Sequence, residues 1–233
     1  MPNIIIICLI YAKILIKYNL SYLFDNIEIG EFMNEKYFKH FDYFNLKSGN
    51  GLHMVEKFES GIQELANSCA PVCVKLILNF YGKKLTQSES ELCEIFNSRP
   101  YPYGTKLCDL LKGVEKVCDN KTISSLESSK KGSKRFNTFK EFKEFVLHYI
   151  DKQIPIIVEN VDYGGHYKIL IGYDEVSDVE EEDVLIFADP SDFNDGREDG
   201  YNYFPAERFF YMWFDSNCLA EEERLQPFVI ILP

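Results

Sequence analysis

Gln63-Glu-Leu-Ala-Asn-Ser-Cys69-Ala-Pro-Val-Cys-Val-Lys-Leu-Ile-Leu-Asn-Phe-Tyr-Gly82 runs from a polar turn into an apolar helix. Val72, Leu76 and Phe80 recur at four-residue spacing, with Cys73 and Ile77 beside them, so one stripe of the helix faces a core. Asn67 or Ser68 is the expected N-cap. Pro71 is tolerated in the first turn because its missing amide would have no helical partner, and Gly82 supplies the stop. Cys69 therefore falls in the first turn. Unpaired amide protons and the positive end of the helix dipole favour thiolate over thiol there, and thiolate is the reactive form.

Outward from this segment the pattern is first helical. Thr86-x-x-Glu89 and Ser88-x-x-Glu91 are both capping-box spacings and announce a helix to about Phe96. A third helix follows Gly104-Thr105, with Leu107, Leu110, Leu111 and Val114 on one face. Residues 119–135 are rich in Ser and Lys and read as a connecting loop. Thr138-x-x-Glu141 opens a helix to about Ile150 whose apolar face is Phe139, Phe142, Val146 and Ile150. The period then changes. Residues 154–158, 166–173, 183–188 and 228–232 are short β-branched or aromatic runs bounded by Gly, Pro and Asp. Helices precede strands, so the expected class is α+β, a helical half carrying Cys69 packed on a mainly antiparallel sheet.

Composition narrows the chemistry. The net charge of −12 is concentrated between Asp174 and Asp199, where twelve carboxylates face Arg197 alone, and nucleic acid is a poor partner for such a surface. A solvated acidic loop is one reading of this run and attraction of a basic peptide the other. Seven cysteines, an odd number without scaffold-like spacing, fit a reducing compartment, and a cytoplasmic location is expected. Cys69 and Cys73 lack the Cys-x-x-Cys or His-x-x-x-His partners of a zinc site, so neither metal nor cofactor is expected. The apolar N-terminus is broken by Lys13 and Lys17, which makes it a poor membrane span and a weak secretory signal. A packed or interfacial helix is the remaining reading. Residues 25–60 show no clear periodicity, and Met33 and Met54 are each candidate starts. The expected division is an extension over residues 1–53, dispensable for folding, and a domain over 54–233.

Nucleophilic thiol catalysis needs a base, a group that orients it, and donors for the oxyanion. Of four histidines, His40 and His53 lie in the unpatterned region and His148 near the end of an aromatic helix, whereas His166 follows Gly164-Gly165 and begins a strand. A hairpin centred near residues 177–179 sets His166 opposite residues 188–192 and brings Asp189 into range to hold the imidazole. A slip of one residue changes the face, so Asp192 and Asn194 are substitutes.

In order and spacing, residues 60–214 resemble the papain-like peptidases related to the bacteriocin-leader-processing group, the C39-like family. The resemblance rests on Gln63 six residues before Cys69, the Tyr81-Gly82 helix end, Gly104-Thr105, the Ile154-Pro155-Ile156-Ile157-Val158 strand, His166-Tyr167, Gly172-Tyr173-Asp174, Asp189-Pro190, and Trp213 after an aromatic segment. It implies a papain-like fold with Cys69 as nucleophile, His166 as base and acid, Asp189 as orienter and Gln63 as oxyanion donor. The chain departs from the family's usual Asp-Cys-Gly by reading Ser68-Cys69-Ala70. No ATP-binding cassette accompanies the motifs, so export-coupled processing is not implied by this stretch alone. The expected function is a thiol hydrolase acting on a peptide or related amide. The alternatives are acyl transfer through the same thioester, and a peptide-binding module without turnover.

Overall fold

The computed structural model describes residues 41–128, 133–192, 197–215 and 218–233. The expected N-terminal helix lies outside the described residues, as do Cys8, His40 and Asn194. A compact unit spans Tyr43–Pro233 and is α+β.

The cysteine helix, α1, runs Cys69–Phe80 with Ser68 as its N-cap. Just beyond its end Gly82 adopts a φ of +76°, the left-handed backbone that glycine takes without steric cost. The buried stripe of α1 is Cys73, Val74, Ile77 and Leu78. This stripe is rotated from the Val72-Leu76-Phe80 face read from spacing, and Leu76 and Phe80 are only half buried. Phe80 sits at the margin because its ring packs on Phe58, with centroids 5.3 Å apart.

Helix α2 spans Glu89–Ile95 and carries both bonds of the Ser88–Glu91 capping box. Helix α3, Leu107–Val117, buries Leu107, Leu110 and Val114. Gly113 lies on that buried side, where an added Cβ would stand 2.2 Å from the Phe96 ring. Gly113→Ala normally gains about 1 kcal/mol of helix propensity. Here it is expected to lower stability by about 1–3 kcal/mol, because fully buried Phe96 has no space to retreat into. Denaturant unfolding checks the sign, and a stabilised variant would contradict the packing.

The stretch 119–135, read as a loop, instead holds β2, Thr122–Ser124, and the single-turn α4, Ser125–Ser128. Three residues are too few for alternation to register, and the strand exists because β7, Phe228–Ile231, supplies its partner. Helix α5 spans Phe139–Ile150, with the Thr138 hydroxyl accepting from the Glu141 amide at 3.2 Å.

Further strands are β1, Leu52–Met54; β3, Ile156–Asn160; β4, His166–Asp174; β5, Val184–Ala188; and β6, Tyr201–Pro205. With β2 and β7 they make one antiparallel sheet in the order β2-β7-β3-β4-β5-β6, with β1 also paired to β4. Helix α6, Ala206–Met212, then packs Phe209 near Phe142 and Phe187. Trp213 closes this aromatic core and donates from Nε1 to the Pro227 carbonyl at 3.1 Å.

The boundary expected after residue 53 falls inside β1, where His53 pairs with Tyr173. Residues before 53 already pack on the domain, with Tyr43 stacked on Tyr201 at 5.4 Å and Leu46 against the core. Aromatic contacts of this kind leave no periodic signature in the sequence.

The acidic run is also not one solvated loop. Asp183, Asp189 and Asp192 are buried. Asp183 accepts from the Tyr173 hydroxyl at 2.6 Å and from Lys143 at 2.8 Å, and Lys143 also pairs with Glu175 at 2.9 Å. Part of the negative charge is therefore structural.

Candidate active site

Strands β4 and β5 pair with Ile169 opposite Ala188 and Leu170 opposite Phe187. This register brings the start of β4 against the residues just past β5. His166 Nε2 lies 2.6 Å from Asp189 Oδ1, and Cys69, at the start of α1, lines the same cleft as His166. Asp189 is fixed from other directions as well. Oδ1 accepts from the Ser191 amide at 2.9 Å, and Oδ2 accepts from Asn202 Nδ2 at 2.6 Å.

Of the two substitutes for Asp189, Asn194 lies outside the described residues and Asp192 serves another turn. The Asp192 carboxylate accepts from the Gly200 amide at 2.7 Å and ties down the turn before β6. His53 pairs with Asp151 at 2.6 Å, and His148 faces Lys152 at 2.9 Å.

Burial by itself would push the His166 imidazolium pKa down. The charge and hydrogen bond of Asp189, together with Cys69, outweigh that and lift it to about 10. Burial would likewise raise the Asp189 carboxyl, but His166, and then the Lys168 ammonium, hold it well below the usual carboxylate range. Cys73, one turn along α1, is a contrast. Its thiol lies 3.5 Å from the Tyr167 carbonyl oxygen, and burial pushes its pKa well up, which suits packing. Among the described residues, no group of three or more His, Cys, Asp or Glu is placed to hold a metal ion.

Gln63 bridges the turn before α1 and the end of β5. Its amide N–H donates to the Pro190 carbonyl at 2.8 Å, and its side-chain Oε1 accepts from the Ser191 hydroxyl at 3.0 Å. One Nε2 proton goes to the Leu65 carbonyl at 2.7 Å. These bonds set the side-chain amide on the wall of a cleft of about 470 Å³, lined also by Leu65, Cys69, Tyr101, Gly165 and His166. Cys69 is 8% exposed and lines the cleft, so its sulfur sits where the core meets the cleft floor.

Gly164-Gly165 has a steric reason. Gly165 has a φ of +122°, and a Cβ there would stand 2.2 Å from Asp215 Oδ2 and 3.2 Å from Glu159 Oε1. Only glycine lets the backbone before His166 pass this buried carboxyl pair. Burial, followed by the adjoining Asp215, pushes the Glu159 pKa well up.

Four contributors escaped sequence reasoning: Asn202, Ser191, Lys168 and Glu89. Asn202 lies in a Tyr-Asn-Tyr-Phe-Pro strand without a β-branched run. Lys168 is fully buried, two residues along β4 from His166. One step beyond the Ile169–Ala188 pair, the register sets it opposite Asp189. Glu89 was masked by the Thr86-x-x-Glu89 spacing, which does not form a cap; the cap is Ser88 with Glu91, and Glu89 is the first residue of the helix.

This arrangement lies wholly within the residues matched by one family model, that of the Peptidase_C39 like family, which covers 53–220. The chain belongs to the Peptidase_C39 like family. Membership supports a cysteine peptidase of the papain-like kind, with the cysteine on a helix packed against an antiparallel sheet. Among solved structures, this Peptidase_C39 like chain is similar to the peptidase domain of Streptococcus ComA, a bi-functional ABC transporter involved in a quorum sensing pathway. Identity there is 17%, over 76% of this chain and 98% of that one, with a TM-score of 0.49. It is also similar to a double glycine motif protease from an AMS/PCAT transporter in complex with the leader peptide. Identity is 15%, over 73% and 86% of the two chains, with a TM-score of 0.39. No curated protein matches the sequence. Among the described residues no helix is long and apolar enough to cross a membrane.

Proposed function

We propose that this protein hydrolyses a peptide or related amide bond with Cys69 as nucleophile, His166 as general base and acid, Asp189 as orienter and Gln63 as an oxyanion donor. One observation carries the reading: the His166 ring is hydrogen-bonded to Asp189 and lines, with Cys69 and Gln63, a single cleft.

The steps follow from these groups. His166 takes the thiol proton, and the Cys69 sulfur bonds to the carbonyl carbon. The oxyanion accepts from the Cys69 backbone N–H and from the second N–H of Gln63 Nε2. His166 then passes its proton to the amide nitrogen as the carbon–nitrogen bond breaks, and the amine leaves. Water gives a proton to His166 and attacks the thioester, so an acid departs and the thiol is restored. A raised His166 pKa favours the imidazolium that protonates the leaving nitrogen. Glu64 on the cleft wall supports a substrate with a basic side chain nearby.

Digestion of a peptide library in water enriched in oxygen-18 tests the reaction. Hydrolysis predicts new carboxyl termini carrying the label in the wild type and none with Cys69→Ala. Products joined to an added amine, without labelled acid, would transfer the assignment to acyl transfer. Absence of any product from the wild type would contradict both and favour a binding module.

A further inference from the structure

We infer that Glu89 is a positioning residue for the oxyanion site, holding from α2 the turn that sets the Gln63 amide against Cys69. The inference rests on the hydrolase reading above. Glu89 is not spent on its own helix, because the capping box there belongs to Ser88 and Glu91. Its carboxylate reaches back 25 residues instead. The Glu64 amide donates to both of its oxygens at 2.9 Å, and the Leu65 amide donates to Oε2 at 3.1 Å. The buried Ser68 hydroxyl lies 2.7 Å from Oε2 and 2.7 Å from the Leu65 carbonyl, so its one proton is shared between them.

The Leu65 carbonyl is the pivot. It accepts from Gln63 Nε2 at 2.7 Å and from the Ser68 amide at 3.2 Å. Glu89 thus grips the N–H side of the same turn whose carbonyl side orients the Gln63 amide. It also fixes the residue immediately before the nucleophile. Charge-assisted bonds to backbone amides are the stronger kind, and an oxyanion donor is useful only if it is already in place. Ser68 brings a hydroxyl to this turn but no charge. The anion comes from Glu89.

Two probes separate this role from a general structural one. Iodoacetamide alkylation of Cys69 needs the thiolate but no oxyanion donor. Acetyl-glycyl-glycinal forms a thiohemiacetal whose oxygen occupies the oxyanion site, and it asks nothing of side-chain pockets. Glu89→Ala is expected to alkylate within about twofold of wild type while binding the aldehyde about tenfold or more weakly, a fraction of the ~10²–10³ seen when a donor is removed outright. Glu89→Gln keeps the volume and one acceptor, so it should fall between and guards against a variant that fails to fold. Equal losses in both probes, or no loss in either, would overturn the role. A wild type that is alkylated but does not bind the aldehyde would overturn the oxyanion site and Glu89 with it. A wild type whose Cys69 resists alkylation would instead overturn the hydrolase reading.

Discussion

His166→Ala is expected to lower amide turnover on the order of a thousandfold or more, and Asp189→Asn to lower it less while moving the pH profile. The two variants remove different things. Without the imidazole there is no group to take the thiol proton or to return one to the leaving nitrogen. With Asp189→Asn a hydrogen bond to Nε2 is still possible, but the buried negative charge is gone. Because that charge does most to raise the His166 pKa, its loss lets imidazolium deprotonate at lower pH, and the alkaline limb should shift down.

Stability follows the same linkage. The folded pKa of His166 lies above its unfolded value of about 6.5, so its contribution is full below pH ~6.5 and is lost as pH rises through about 10. Asp189 is depressed, so its contribution is present above pH ~3.9 and lost as pH falls toward its folded value. The stability gap between wild type and Asp189→Asn should therefore be widest near pH 4–6.5 and shrink toward pH 10. Denaturant titrations at pH 6 and pH 9.5 measure it, and a gap that grows with pH would contradict the pairing.

Lys168→Ala is expected to cost about 3 kcal/mol of stability, close to the 3–5 kcal/mol typical of a broken buried pair. The lower end applies because Asp162, its partner at 2.8 Å, retains 19% side-chain exposure. The ammonium also lies over the rings of Phe187, Phe204 and Phe209 at 4.7, 5.5 and 5.9 Å, so removing the side chain leaves a cavity as well as an unpaired carboxylate. Asp162 sits in the turn leading to Gly164-Gly165 and also accepts from Asn160 at 2.9 Å. Loosening it loosens the backbone before His166. A loss below about 1 kcal/mol by urea unfolding would mean that the pair is not load-sharing, since exposed pairs fall in that range.

Local rules made the helices readable. Ser88–Glu91 and Thr138–Glu141 are physical contacts between neighbours in sequence, and both caps form. Partner-dependent elements were less legible. β2 is defined by β7 and β1 by β4, and their three-residue spans carry too little pattern to identify alone. The acidic hairpin could be centred from its turn residues, so the window containing Asp189 could be derived. That Asp192 would serve the Gly200 amide instead could not, because it depends on how the following turn folds back. Gly165 was visible as a glycine, but its reason, the Glu159–Asp215 pair, joins the preceding strand to a turn far along the chain. Glu89 and Lys168 were hidden for a related reason: each acts across a tertiary contact, while the sequence offers a helix-start glutamate and a lysine in a strand.

Six free cysteines lie among the described residues, and the proposed hydrolysis requires that Cys69 be the activated one. Peptide mapping after brief exposure to a limiting amount of a peptidyl chloromethyl ketone tests it most directly. One adduct is expected, on Cys69, absent in Cys69→Ala and strongly slowed in His166→Ala. Equal labelling of the more exposed Cys108, Cys118 or Cys218, or labelling of Cys69 indifferent to His166, would contradict it.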